Sequence, residues 1–163
     1  FIQRSRGKWK MATACVKSLE SIQCGTCEKT IANGTEFYAL LFDKRPDVRH
    51  YFKGDENLTG ADVKKSDRFK KQGQRLLLAC HILAHIENDP ASFKAYTREI
   101  VDRHLRMGVH LDPKLWSEFW PIWLDYLSTK ETVDDATKNA WLALGKKFSD
   151  ECLDHLKNLG QPH

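Results

Sequence analysis

Residues 93–104 read FKAYTREIVDRH, and the pattern of this stretch decides the fold class. At helical spacing Phe93, Tyr96, Ile100 and His104 fall on one face, which predicts an amphipathic helix with an imidazole on its apolar side. Such an imidazole needs a partner, because a buried polar group without one costs free energy. In most proteins the partner is a polar group of the core; the alternative is a metal ion, which a neutral ring nitrogen can bind.

Helical periodicity continues on both sides of this stretch, and no segment shows the alternation of a strand. The predicted helices cover residues 12–21, 26–44 and 66–87, and three more begin near Pro90, Pro113 and Asp134. The polar residues 51–65 predict a loop with at most one helical turn. We therefore predict an all-α fold of six to eight helices, in a single domain over residues 11–163. Residues 1–10 are basic and show no helical stripe, so we expect an extension that is disordered or left over from cloning.

Two glycines fall inside predicted helices, Gly34 in the second and Gly73 in the long third one. A glycine in a helix interior costs about 1 kcal/mol relative to alanine. A close crossing of two helices would explain that cost, and chance tolerance would explain it equally well.

The composition excludes several classes of partner. The chain has 163 residues, of which 41% are hydrophobic, enough for one domain with a sizeable core. Its net charge is only +4, and its short lysine pairs are flanked by acidic residues, as is typical of solvated helix faces and not of a nucleic-acid surface. No apolar run is long enough to cross a bilayer. We therefore expect neither nucleic acid nor a membrane as a partner.

The cysteines indicate a reducing environment. Their number is five, which is odd, and no secretory signal precedes them, so we expect a cytoplasmic protein and keep an extracellular body fluid as the alternative. Cys24 and Cys27 form a CxxC motif. The chain lacks the second pair of a zinc site, the histidine of a haem-attachment site and the strands of a thioredoxin-like site. The spacing alone is weak evidence, and we interpret the motif as structural.

Several separated motifs agree in order and spacing with one known family. They are residues 34–38 (GTEFY), 42–46, 51–53 (YFK), 71–81 (KQGQRLLLACH) and 96–104, with Trp116 and residues 141–148 in addition. In these motifs the chain resembles the globins, and among them the nematode haemoglobins, over residues 12–157. The resemblance implies a globin fold that encloses haem b, iron protoporphyrin IX.

The same resemblance implies roles for single residues. His104 would be the proximal ligand of the haem iron, and its second ring nitrogen would donate to a carbonyl one turn back, near Ile100. Tyr38 and Gln72 would face the bound gas, and Phe52 would stack against the porphyrin. The further pocket residues that it implies are Leu41, Phe42, Phe69, Arg75, Leu76, Arg103, Val109, Phe119 and Leu144.

Some residues have two interpretations. Lys71, Arg75 and Arg103 are candidates to bind a haem propionate, but a solvated helix face explains them almost as well. Cys80 is expected to be a small core residue, with reaction towards nitric oxide derivatives as the alternative. Pro121 lies inside a predicted helix, where it should cause a kink close to the pocket.

The implied gas site predicts tight binding of oxygen. Dioxygen on ferrous iron carries negative charge, which carbon monoxide largely lacks, and Tyr38 and Gln72 both offer hydrogen-bond donors. One bond to a charged acceptor contributes about 1.5–3 kcal/mol, so two would slow release by roughly a hundredfold. Whether each side chain bonds the gas directly or through the other stays open.

We therefore expect a carrier, not an enzyme, that stores, transports or scavenges dioxygen and also binds carbon monoxide and nitric oxide. The alternatives are a nitric oxide dioxygenase and a redox or sensor globin of the same fold. A homodimer is left open.

Overall fold

The computed structural model describes residues 12–163, and this part of the chain forms seven α-helices and two 3-10 helices without a strand. The α-helices are α1 (Ala14–Ser18), α2 (Glu28–Lys44), α3 (Gly60–Val63), α4 (Asp67–Ile86), α5 (Pro90–Arg106), α6 (Leu115–Ser128) and α7 (Asp135–Asn158), and the 3-10 helices are Leu19–Ser21 and Pro46–Tyr51. The predicted all-α fold with six to eight helices is therefore confirmed. The extension predicted over residues 1–10 lies outside the described residues.

Most helix starts follow their sequence signals. The side chains of Ser66, Asp89 and Asp134 each accept a hydrogen bond from the backbone amide three residues later and so cap α4, α5 and α7. The start predicted for α6 is wrong by two residues, because this helix begins at Leu115. Asp112 instead accepts from the amide two residues later and forms a turn before the helix.

The crossing of α2 and α4 brings two glycines into backbone contact. A Cβ atom added to Gly34 would lie 2.5 Å from the carbonyl carbon of Gly73, and one added to Gly73 would lie 2.4 Å from the carbonyl carbon of Gly34. Neither glycine can therefore carry a side chain without moving a helix, and the packing explanation of both holds. The crossing also sets the distance between Tyr38, one turn after Gly34, and Gln72, which precedes Gly73.

Helix α7 closes the other side of the molecule by packing against α1, α5 and α6. Its predicted inward face is buried, as expected; the residues are Trp141, Leu144, Gly145, Phe148, Cys152 and Leu156. The indole nitrogen of Trp141 donates to the hydroxyl of Ser18 across 2.9 Å. This buried bond joins α7 to α1.

Helix α6 continues without interruption through Pro121, which is exposed. The proline removes one backbone donor on the solvent side, where water can satisfy the freed carbonyl.

None of the helices that the structure describes is both long and apolar enough to cross a membrane.

Candidate functional site

A cavity of about 660 Å³ lies between α2, α4, the C-terminal end of α5 and the N-terminal half of α6. This volume falls within the usual range for sites that hold small organic molecules or cofactors. Most of its wall is hydrophobic, formed by Phe37, Leu41, Val48, Phe52, Leu76, Val109, Leu111, Leu115, Phe119 and Ile122. The polar groups that enter it therefore decide what it can bind.

His104 enters the cavity from the last turn of α5. Its Nδ1 lies 2.8 Å from the carbonyl oxygen of Ile100, one turn back in the same helix. Since a carbonyl only accepts, Nδ1 carries the proton and Nε2 has the lone pair. The indole ring of Trp116 contacts the imidazole edge-on, with ring centroids 5.2 Å apart. Two contacts thus fix both the tautomer and the orientation of the ring.

The imidazole is also held in its neutral form. Burial is the main cause that lowers the pKa of His104 below its ordinary value, and it outweighs the bond to the Ile100 carbonyl. No hydrogen-bond partner for Nε2 exists among residues 12–163. A neutral, oriented imidazole with a free lone pair is the form in which histidine binds a metal.

Tyr38 and Gln72 line the same cavity from α2 and α4. The amide nitrogen of Gln72 donates to the hydroxyl oxygen of Tyr38 across 3.3 Å. Burial raises the pKa of Tyr38 to about 12, so its hydroxyl stays protonated and its own hydrogen is available to a ligand. The rings of Phe37, Phe52 and Phe69 lie 5.6, 5.7 and 5.2 Å from the Tyr38 ring and restrict its rotation.

The remaining predicted pocket residues divide into three groups, which are residues that line the cavity, residues buried in the core, and the two arginines. Leu41, Phe52, Leu76, Val109 and Phe119 line the cavity. Phe42, Phe69 and Leu144 are buried in the core and are not among the lining residues. Phe42 and Phe69 contact the Phe52 ring at centroid distances of 5.1 and 5.6 Å and so support the cavity wall from behind.

Neither predicted arginine reaches the cavity. Arg75 is exposed and Arg103 is paired with Glu99, one turn back in α5; neither is among the cavity-lining residues. Cys80 is almost fully buried, and burial raises its thiol pKa, as for a small core residue. It too lies outside the set of cavity-lining residues.

Cationic and polar side chains that our sequence reasoning did not select form the rim of the cavity. They are Arg45, His50, Lys53, Arg68 and His110. Arg45 pairs with Asp47 and Glu118, and Arg68 pairs with Asp55. The sequence does hold a signal, because residues 45–53 contain three Arg or Lys residues and one histidine, beside Phe52. Periodicity alone did not indicate that this segment borders the cavity.

Comparison with known proteins gives consistent results. The family model "Globin" matches residues 35–152. A myoglobin of Ascaris suum is 92% identical over 153 residues, which cover 94% of this chain and all of that protein. A globin-like protein of Caenorhabditis elegans is 46% identical over 159 residues, 98% of this chain and 99% of that protein.

Solved structures agree with this result. A high-resolution structure of the C. elegans globin-like protein GLB-1 has a TM-score of 0.88 and 48% identity, and the match covers 92% of this chain and 94% of that one. Ferric myoglobin of Aplysia limacina has a TM-score of 0.74 at 18% identity, over 89% of this chain and 97% of that one. At that identity the similarity concerns the fold alone.

Proposed function

Since this chain belongs to the globin family, we propose that it holds a haem in the cavity and binds dioxygen reversibly, with His104 as the proximal ligand. One observation carries the proposal: His104 lines the same cavity as the hydrogen-bonded pair of Tyr38 and Gln72. A metal-binding group and two hydrogen-bond donors in one cavity suit dioxygen, because this apolar gas accepts hydrogen bonds once a metal polarises it. The related protein named a myoglobin supports the same conclusion.

The residues of the cavity suit a haem. A neutral imidazole with a free Nε2 suits an iron centre, the apolar wall suits the porphyrin, and the basic rim suits two propionates. When bound, the haem iron supplies the coordination position at which dioxygen binds. We propose Lys53 and Arg68 as propionate partners in place of Arg75 and Arg103, because both line the cavity.

The protein contributes polarity and exclusion of water. Tyr38 is only 5% exposed, so a hydrogen bond from its hydroxyl to a ligand forms in a site with little competing water. Gln72 orients that hydroxyl by donating to its oxygen, and the second hydrogen of the same amide remains available. This arrangement favours a ligand that accepts hydrogen bonds, and we propose that it gives high affinity for dioxygen and slow release.

An absorption spectrum tests the proposal most directly. The purified protein should have a Soret band that shifts on adding dioxygen or carbon monoxide to the reduced form. His104→Ala should lose the proximal attachment and its spectral signature, because alanine cannot coordinate. His110→Ala is the matched control, since His110 lines the cavity but is exposed, and its spectrum should not change. Normal gas exchange in a folded His104→Ala protein would disprove the assignment.

A further inference from the structure

The CxxC motif occupies a defined place in the fold. Cys24 lies in the segment between α1 and α2, and Cys27 is the residue that precedes the first turn of α2. Neither forms a disulfide in the structure. The chain bends over residues 25–27, so that Gly25 lies against the side chain of Thr30, and a Cβ at Gly25 would be 3.0 Å from the Thr30 hydroxyl. The segment is thus folded back onto the start of the helix.

A hydrogen-bond network fixes the backbone around Cys24. The amide side chain of Gln74 accepts from the backbone N–H of Gly25 at 2.9 Å and donates to the carbonyl of Thr30 at 2.7 Å. On the other side of Cys24, Asn33 donates to the carbonyl of Gln23 at 3.0 Å. One amide group therefore bridges the two halves of the bend, which lowers the entropy that closing a ring between residues 24 and 27 would cost.

The two thiols have complementary environments. Cys27 is exposed, and its sulfur lies 3.3 Å from the Thr30 hydroxyl. This hydroxyl and the backbone amide of Thr30 hold the pKa of Cys27 below its usual value. Cys24 is half-buried against the core, and burial raises its pKa. An exposed thiolate suits the attacking role, and a shielded neighbour suits the resolving role.

We propose that Cys24 and Cys27 are a redox modification site, at which a small-molecule disulfide oxidises the pair to a reversible intramolecular disulfide. The Cys27 thiolate attacks one sulfur of the small disulfide, forms a mixed disulfide and releases the other half as a thiol after it takes up a proton. Cys24 then loses its proton to solvent and attacks the Cys27 sulfur, and the second half leaves as a thiol. Two protein thiols are oxidised and one disulfide is reduced to two thiols. The proposal is independent of haem and oxygen.

The oxidation state of Cys24 and Cys27 can be measured on a single peptide. Cleavage after lysine yields the peptide of residues 18–29, which contains Cys24 and Cys27 and no other cysteine. The reduced haem protein is incubated with mixtures of oxidised and reduced glutathione, acid-quenched, alkylated and digested. We expect this peptide to appear without alkyl groups and about 2 Da lighter than the dithiol. The peptides of Cys15, Cys80 and Cys152, all buried, should remain fully alkylated.

Variants separate the two roles. Cys24→Ser should accumulate a stable mixed disulfide at Cys27, because no second thiol can displace it. Cys27→Ser should react with oxidised glutathione at least about tenfold more slowly, because the remaining thiol, Cys24, is less ionised. Thr30→Val keeps the volume beside Gly25 but removes the hydroxyl, and should slow the first step about threefold. The proposal fails if the wild-type peptide keeps two thiols in excess oxidised glutathione or stops at the mixed disulfide. It also fails if urea-denatured protein closes the ring as readily as folded protein.

Discussion

The side-chain amide of Gln72 donates a hydrogen bond to the Tyr38 hydroxyl across 3.3 Å, inside a cavity that also contains the imidazole of His104. The bond uses the acceptor side of the phenol and leaves its hydrogen free. The pair can therefore donate hydrogen bonds to whatever enters the cavity beside His104. Several measurements can test what this pair does.

Removing the phenol should speed the release of oxygen. Tyr38→Phe keeps the ring among Phe37, Phe52 and Phe69 but deletes the donor. A bond of about 1.5–3 kcal/mol corresponds to at least a tenfold faster dissociation of dioxygen, with little effect on carbon monoxide. Stopped-flow ligand replacement measures both rates. Tyr96→Phe is the control, because Tyr96 is not among the cavity-lining residues, and an unchanged rate in Tyr38→Phe would refute the donor role.

The two donors should not act independently. Gln72→Leu removes one donor and also the bond that orients the Tyr38 hydroxyl, so it should speed dissociation several-fold. In the double variant with Tyr38→Phe, the combined effect should be smaller than the product of the single effects, with a coupling of at least about 0.5 kcal/mol. Strict multiplicativity of the two effects would mean that Gln72 bonds the gas without involving Tyr38.

Oxygen release should be insensitive to pH until the solution is strongly alkaline. Burial raises the pKa of Tyr38 from 10 to about 12, and only the protonated phenol donates. We expect a flat dissociation rate from about pH 6 to pH 10 and faster release above that range. The same raised pKa stabilises the fold below pH 10, a contribution that is lost as the pH rises through about 12. An inflection below about pH 9 that is absent from Tyr38→Phe would contradict this assignment.

Substituting a glycine at the helix crossing should destabilise the protein. A methyl group on Gly73 would lie 2.4 Å from backbone atoms of α2, so the helices must separate. We expect Gly73→Ala to cost about 1–3 kcal/mol in the free energy of unfolding, in spite of the higher helix propensity of alanine. Urea unfolding followed by circular dichroism measures this cost. Lys71→Ala, on the exposed side of the same helix, should leave stability almost unchanged. A Gly73→Ala protein as stable as the wild type would show that the crossing tolerates a side chain.

Haem retention should depend on the rim of the cavity. Replacing Lys53 or Arg68 by alanine should accelerate haem loss roughly threefold, because exposed ion pairs contribute up to about 1 kcal/mol. Transfer of haem to an excess of an apoprotein acceptor, followed by absorbance, gives the rate. Arg75→Ala should have no effect, since that side chain is not among the cavity-lining residues. A larger effect of Arg75 than of Arg68 would restore the assignment made from the sequence.

The sequence predicts local features better than spatial ones. Helix caps at Ser66, Asp89 and Asp134 act over three residues, so the local sequence specifies them. The crossing of Gly34 and Gly73 cannot be distinguished from chance until the two helices are seen together. Leu144 illustrates the same limit, because a helical period shows which face is inward but not which neighbour that face meets.

In the candidate functional site, too, the sequence predicts local features better than the spatial relations between distant residues. The spacing around His104 indicates a buried imidazole, yet only the resemblance to globins links it with Tyr38 and Gln72. The residues of the cavity rim come from three chain segments, around Lys53, Arg68 and His110, and their proximity depends on the path of the chain between these segments. Arg75, on the same helix as Arg68, is exposed and is not among the cavity-lining residues.

The buried bond between Trp141 and Ser18 spans 123 positions of the chain. Helix α1 is synthesised before α7, so its indole partner leaves the ribosome only after the intervening helices have been made. Until then the face of α1 that will meet α7 has no native partner. Completion of the fold must therefore await the synthesis of Trp141, and a chain that terminates before this residue should be recognised by chaperones or proteases as unfinished.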